Sequence, residues 1–422
     1  MNAGALKKQL HFSENYAIIL KNIESERSMK KTIKKFFAVI LSLSLFCGLV
    51  GCDKSEQGVS PDASDSADNS ETSDQTEPEQ PKKLLGRVSV EGTKFMVEGK
   101  ELWINGTNTP WQHWNDFTEG MDEEFWDTEF ARLVADGVNC TRIWLNCNGE
   151  SIVRLTDDGK VRNINETHWE ALDKLFDLAD KHGIYIMPTL LSFDHFKEPV
   201  KSGQRWQGLI KSKEYSDRFA EKYVQAFCER YRDRNCIFAI DVMNEPDWVF
   251  ENSECGKIPW DNISYLLGRC AAVIHENSDF LVTVGVAIIK YNSDKYQGNK
   301  VSDEYLKELT GSDSAYLDFY STHYYNWMKE HFGFPCDKSP SEFGLAEAKP
   351  CIIGETHNDD EKEIGMTLTE KYKSVYDNGW NGIMVWMDPN EETVWYEYGL
   401  TSEATSEMAE LIPEKVFPLG EG

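Results

Sequence analysis

A (β/α)8 TIM barrel is the fold predicted for residues 84–422, and three observations predict it. Eight short apolar runs recur along that stretch, amphipathic helical patterns separate them, and polar or aromatic residues stand where several of the runs end. The runs cover residues 102–106, 140–145, 184–190, 237–243, 281–286, 319–322, 351–354 and 382–386. Helical periodicity is clearest over 123–136, 168–182, 215–232, 261–276 and 369–378, and Gly137 and Gly183 follow the first two where a C-cap is expected. Eight strands with intervening helices over about 330 residues match one barrel with enlarged loops. A doubly wound open sheet is the runner-up, but no glycine-rich phosphate fingerprint follows the first run. Ahead of the barrel, Val88-Ser89-Val90, Gly92 and the stretch from Phe95 to Lys100 read as a β-hairpin.

The chain before residue 84 has a different character. From Met29 it reads as an export signal: Lys30, Lys31, Lys34 and Lys35 precede an apolar run from Phe36 to Val50, and at roughly 15 residues that run suits a signal peptide better than a membrane span. It ends in Leu49-Val50-Gly51-Cys52, which resembles the lipobox of bacterial lipoproteins, so residues 29–51 are expected to be removed and Cys52 to carry the lipid. Residues 1–28 precede a complete signal; translation is therefore expected to start at Met29, leaving 1–28 as a non-native extension. Residues 52–83 are mostly Ser, Asp, Glu, Gln and Pro with no aromatic residue and hardly any aliphatic one, a composition unable to bury enough apolar surface to offset its ordering entropy. An extended, self-repelling linker is expected there, holding a catalytic domain outside the cell at the bacterial surface.

Charge and cysteine content narrow the function. The 422 residues carry 72 acidic against 44 basic side chains, a formal charge of -28, which repels a phosphate backbone and argues against nucleic acid as a partner. Eight cysteines lie beyond the linker, at 140, 147, 228, 236, 255, 270, 336 and 351; Cys140 and Cys351 sit inside apolar runs, as reduced cysteines packing as small hydrophobes would. Neither a Cys-x-x-Cys pair nor a His-Glu-x-x-His helix occurs, so no metal or other cofactor is expected. The run His357-Asn358-Asp359-Asp360-Glu361 lacks calcium-ligand spacing and reads as a solvated loop.

In such barrels the active site forms where strands end. The fourth run ends in Asn244-Glu245-Pro246 and the seventh in Glu355-Thr356-His357, which brings two carboxylates to one mouth. Either glutamate alone could simply open a loop. Together they supply what glycosidic cleavage requires, one group to protonate the leaving oxygen and one to attack the anomeric carbon.

With these residues the chain resembles glycoside hydrolase family 5, similar to its endo-β-1,4-mannanases and cellulases. The correspondence runs in order through Arg142 of Thr-Arg-Ile-Trp on the second strand, Asn244-Glu245 after the fourth, His323-Tyr324-Tyr325 at the sixth, Glu355 after the seventh and Trp386 on the eighth. The resemblance implies Glu245 as acid/base and Glu355 as nucleophile, with Arg142, Asn244, His323 and Tyr325 in support. Physically, Glu245 must stay protonated near neutral pH while Glu355 stays ionised; Arg142 could hold the nucleophile anionic, Tyr325 could donate to it, and Asn244 would contact the sugar 2-hydroxyl.

All 13 tryptophans lie in the folded part, and Trp111, Trp114, Trp144, Trp206, Trp248 and Trp327 fall at or after predicted strand ends. Pyranose rings have apolar C–H faces, so Trp386, Trp111, Trp144, Trp248 and Trp327 are candidate sugar platforms, with loop packing the alternative for any one of them. His195 is a further candidate substrate contact. The tryptophan of Arg-Ile-Trp is more like the family's mannanases than its cellulases. The expected activity is endo-acting, retaining hydrolysis of a β-1,4-linked plant polysaccharide, mannan or glucomannan, by a monomer whose partner is the glycan. An endo-β-1,4-glucanase, an exo-β-glycosidase and a lipid-anchored glycan-binding protein remain the alternatives.

Overall fold

In the computed structural model the described residues are 86–149, 151–198, 201–296, 298–345, 348–387 and 398–417. The signal, Cys52 and the linker fall outside them.

The first three strands, β1 (Ser89–Glu91), β2 (Lys94–Val97) and β3 (Lys100–Leu102), form a small antiparallel sheet, one strand more than the expected hairpin. Its buried side closes one end of the barrel. Phe95 sits edge-on to Phe238 and Phe319 at 5.0 Å between centroids in each case, within a core cluster that includes Val97, Leu102, Tyr185 and Met384. Burying each such large side chain contributes about 1.5–3 kcal/mol.

All eight expected barrel strands form: β4 (Ile104–Asn108), β5 (Cys140–Trp144), then, after a hairpin of β6 (Val153–Leu155) and β7 (Val161–Ile164) that the apolar pattern did not signal, β8 (Tyr185–Ser192), β9 (Ala239–Asn244), β10 (Leu281–Val286), β11 (Tyr320–Tyr324), β12 (Cys351–Thr356) and β13 (Gly382–Trp386). Parallel pairing runs from β4 through β5 and β8 to β13, and β13 pairs back onto β4, from Gly382 opposite Ile104 to Trp386 opposite Asn108. These eight strands are buried almost throughout, which is why they read as continuous apolar runs rather than alternating ones. The expected ends of β4, β8, β11 and β12 fall two residues short. Polar residues such as Asn108, Ser192, Tyr324 and Glu355 break the hydrophobic pattern there while the backbone stays paired.

Helices fill the crossovers. Asp122 accepts from the Phe125 N–H to open helix Glu123–Ala135, and Gly183, at φ 66°, closes helix Glu166–His182 in the left-handed conformation that costs glycine least. The expected helix over 215–232 is interrupted by a π-turn at Ala220–Val224. This turn carries Tyr223, whose hydroxyl meets His168 Nε2 at 3.0 Å while His168 Nδ1 reaches the Phe117 carbonyl at 2.8 Å. A buried histidine thus fixes the end of the loop that carries Trp111 and Trp114. All eight cysteines of the barrel are buried and free.

Two strands carry a local irregularity that matters for the site. Between Thr283 and Gly285 of β10, β9 runs from Asp241 to Asn244, one residue more; between Thr322 and His323 of β11, β12 runs from Ile353 to Glu355, again one more. An extra residue in one of two paired strands bends it and re-aims its side chains.

Candidate active site

Arg142, on β5, is wholly buried and makes five hydrogen bonds. Its Nε and Nη2 reach Asp241 Oδ2 at 2.9 and 2.7 Å, its Nη1 reaches Asn108 Oδ1 at 2.9 Å and Glu355 Oε2 at 3.1 Å, and its Nη2 reaches Asn244 Oδ1 at 2.8 Å. Side chains from β4, β9 and β12 are therefore gathered around a cation on β5. Asp241 and Asn108 are site residues that the sequence pattern did not single out. Each sits inside or at the end of an apolar run, where a polar residue in the middle of hydrophobic neighbours was the signal available. Asp241 is further held by Thr189 Oγ1 at 3.1 Å and the Gly285 N–H at 3.0 Å, and Asn108 donates to the Gly354 and Met384 carbonyls.

Glu245 follows β9 with φ at +50°, a left-handed conformation unusual for a glutamate. Neighbouring β10 holds it there. The Glu245 N–H donates to the Gly285 carbonyl at 2.7 Å, and two residues on, the Asp247 carboxylate accepts from the Ala287 and Ile288 N–H groups at 3.0 and 2.8 Å. The Glu245 side chain receives Trp248 Nε1 on Oε2 at 2.9 Å and faces His323 Nδ1 with Oε1 at 3.0 Å. Trp248, a candidate sugar platform, is thereby also a hydrogen-bond donor to a candidate acid; its ring lies 6.1 Å from that of Trp327.

Glu355 lies across from Glu245. Its Oε2 contacts Arg142 and stands 3.5 Å from His323 Nδ1, and its Oε1 accepts a short hydrogen bond from the Tyr325 hydroxyl. One donor or acceptor atom from each of Glu245, His323 and Glu355 lies within 4.8 Å of the others. That trio has the donor types of a cation site, but the guanidinium touching Glu355 already supplies a positive charge. An oxygen–oxygen approach of no more than 4.8 Å is nearer the carboxyl spacing of a retaining glycosidase, about 5–5.5 Å, than the roughly 6.5–9.5 Å of an inverting one.

Burial raises the pKa of both carboxyls. Glu245 is pushed up to about 7, desolvation outweighing the Arg142 charge and the Trp248 hydrogen bond. Glu355 is raised by the same desolvation and by the Glu245 carboxyl, and His323, if charged, Arg142 and Tyr325 pull it back. His323 is driven down to about 4 by its own burial, so its ring is neutral near pH 7 and the cation acting on Glu355 is Arg142. Direct contact with that cation favours Glu355 as the carboxyl that ionises first.

Aromatic residues line one side. Trp111, Trp144 and Trp386 are mutually in contact at 5.1–5.8 Å between centroids, and Trp114, 43% exposed, packs edge-on to Trp111 at 4.8 Å. Trp206 is elsewhere: it is buried in helix Lys201–Lys211, where His195 packs edge-on to it at 4.6 Å. His195 is itself fully buried, with Nδ1 engaged by the Ser192 backbone in a capping box, so it shapes the turn after β8. The run 357–361, expected to be a solvated loop, is not one: His357, Asn358 and Asp360 are buried, because the buried ammonium of Lys371 gathers Asp360 and the His357 carbonyl inward.

No family profile matches the chain. Curated relatives do. It is 25% identical over 332 residues to a mannan endo-1,4-beta-mannosidase of Mytilus edulis, covering 71% of this chain and 87% of that protein, and 21% identical over 330 residues to one of Cryptopygus antarcticus, covering 71% and 84%. Among solved structures, a beta-1,4-mannanase from Aplysia kurodai superposes with a TM-score of 0.70 at 23% identity, covering 79% of this chain and all of that one. The beta-mannanase of Mytilus edulis superposes with 0.67 at 22%, covering 77% and 96%. These structural likenesses establish the (β/α)8 fold.

Gly285 tests how tightly the pair is built. A Cβ there would lie 2.6 Å from His323 Nε2 and 3.2 Å from Arg142 Nη2. Gly285→Ala should displace His323 and lower turnover roughly 100-fold with the circular dichroism spectrum unchanged; full activity in a folded variant would show that the ring position is not critical.

Proposed function

We infer that this chain is an endo-acting β-1,4-mannanase of glycoside hydrolase family 5, that it cleaves mannan or glucomannan with retention, and that Glu245 and Glu355 carry the reaction. The observation that carries this reading is the close pair of buried carboxyls of which one alone touches a guanidinium. A pure glycan-binding protein has no use for such a pair.

In the reaction so assigned, Glu245 donates its proton to the glycosidic oxygen as ionised Glu355 attacks the anomeric carbon, forming a covalent glycosyl-Glu355 ester and releasing the leaving-group sugar. Departure of the neutral alcohol leaves Glu245 ionised. It then takes a proton from water as that water attacks the anomeric carbon, and Glu355 leaves as carboxylate. Arg142 and Tyr325 hold Glu355 anionic and oriented, His323 and Trp248 orient Glu245, and Asn244, held by Arg142, is placed for the 2-hydroxyl. The wall of Trp111, Trp144 and Trp386 supplies flat surfaces for successive sugar rings, with Trp248 and Trp327 as a second aromatic pair. Mannan is favoured over cellulose by the Arg142-Ile143-Trp144 pattern and by the mannosidases to which the chain is similar.

The decisive measurement is hydrolysis of mannan, carboxymethylcellulose, xylan and short oligosaccharides with NMR of the first-formed product. Retained anomeric configuration, an early fall in mannan viscosity, and a loss of roughly 10⁴-fold or more in Glu355→Ala are expected. Inverted product, or turnover surviving in that variant, would sink the assignment. Because Glu245 must enter protonated, activity should be present below its pKa and decline as pH rises through about 7. In Glu245→Gln that basic limb should vanish from whatever activity remains; a limb that persists unchanged would belong to another group.

Among the described residues no helix is long and apolar enough to cross a membrane. Attachment is assigned to a lipid on Cys52 by the Leu49-Val50-Gly51-Cys52 pattern, the linker of 52–83 giving the barrel reach toward a bulky substrate. Cells fed radiolabelled palmitate should label the protein, and Cys52→Ala should abolish the label and release the enzyme into the medium. Equal labelling of both forms would remove the anchor.

A further inference from the structure

We propose that Lys371, on an outer helix and out of contact with the carboxyl pair, is a positioning residue that sets the hydrogen bond from Tyr325 to Glu355 by way of the loop after β12. The inference rests on the reading of Glu355 as nucleophile.

Helix Leu368–Asp377 is anchored on the barrel wall by Tyr372, whose hydroxyl donates to the Gly106 carbonyl of β4 at 2.7 Å. One residue earlier, the Lys371 side chain is fully buried, and its ammonium reaches three acceptors: Asp360 Oδ1 at 2.6 Å, Asp360 Oδ2 at 2.7 Å and the His357 carbonyl at 3.0 Å. An ammonium has three donors, so this one is saturated. A buried ion pair of this kind adds little net stability over an apolar pair of the same shape, and its best-attested use is to specify one arrangement.

The arrangement specified here flanks Tyr325 on two sides. His357, whose carbonyl Lys371 holds, packs edge-on to the Tyr325 ring at 4.5 Å and 83°. Beyond Asp360, Glu363 of the short helix Glu361–Ile364 accepts from Asn326 Nδ2 at 2.7 Å, fixing the residue next to Tyr325. The hydroxyl so placed donates to Glu355 Oε1. The other groups facing Glu355 are Arg142 from β5, Glu245 just after β9 and His323 from β11; those facing Lys371 are Asp360, His357 and the Cys336 thiol. Lys371 contacts none of the reacting groups, so its effect passes through the tyrosine.

Donation from Tyr325 favours ionised Glu355, so weakening it raises the pH below which activity is lost. Lys371→Met should lower kcat/KM roughly tenfold and move the acidic limb of its pH profile upward, with a smaller change in KM than in kcat. Tyr325→Phe should move the same limb further. Adding Lys371→Met to Tyr325→Phe should leave the limb where Tyr325→Phe put it. Should Lys371→Met alone fail to fold, the pair Lys371→Met with Asp360→Leu, which leaves no buried charge unpaired, carries the same expectation; Asp360→Asn should give a partial effect. A limb that moves equally in both tyrosine backgrounds, that stays put in a folded lysine variant, or that ignores Tyr325→Phe overturns the proposal. Turnover surviving in Glu355→Ala would instead remove the nucleophile assignment beneath it.

Discussion

The Arg142 guanidinium is the constraint around which the remainder of the site is arranged. It is taken wholly out of water, and a desolvated cation left unpaired would cost far more than the barrel's other local defects. Its five hydrogen bonds therefore determine what β4, β9 and β12 may place beside it: an amide from Asn108, a carboxylate from Asp241, an amide from Asn244 and the Glu355 carboxylate. Two anions around one cation leave local charge in excess. That excess negative charge opposes ionisation of a further carboxyl nearby, while direct contact with the guanidinium and the Tyr325 hydroxyl offsets it at Glu355.

Backbone irregularity supplies the geometry that regular strands would deny. One extra residue in β9 and one in β12 re-aim the chain just before Asn244 and Glu355, and Glu245 itself occupies a left-handed conformation. The cost is met by β10 and the residues just after it, where the Gly285 carbonyl and the Ala287 and Ile288 N–H groups bind the turn at both ends. Glycine at 285 and 354 is required by neighbours rather than by torsion angles. A Cβ at Gly354 would come within 2.0 Å of Ser321 Oγ, and one at Gly285 would strike the His323 ring.

Environment, not residue type, then separates two chemically identical side chains. Both carboxyls are buried, which penalises charge on each; only Glu355 touches the guanidinium and accepts from a tyrosine hydroxyl. The chain is a glycoside hydrolase, and the division of labour proposed for its two carboxyls rests on this difference in environment. Trp111, Trp144 and Trp386 form one aromatic wall, the surface proposed for sugar C–H faces, and the exposed Trp114 extends it toward solvent.

The barrel was legible in the sequence because each of its strands is buried on both faces and reads as an uninterrupted apolar run, a signal that depends on local composition alone. Glu245, Glu355, Arg142, His323 and Tyr325 were legible because each sits at or near the end of such a run, where topology brings strand ends together. Asp241, Asn108 and Gly285 were not, since a polar or small residue within a hydrophobic strand has no visible partner until the strands are closed into a ring. The acidic run at 357–361 misled for the same reason. Its fate turned on Lys371, ten or more residues away, whose buried ammonium is invisible to any count of local charge. Sequence alone determined the eight barrel strands, their order and the two carboxylates that reach the mouth; tertiary closure decided which charges meet, because pairing across a barrel depends on distances that no local pattern encodes.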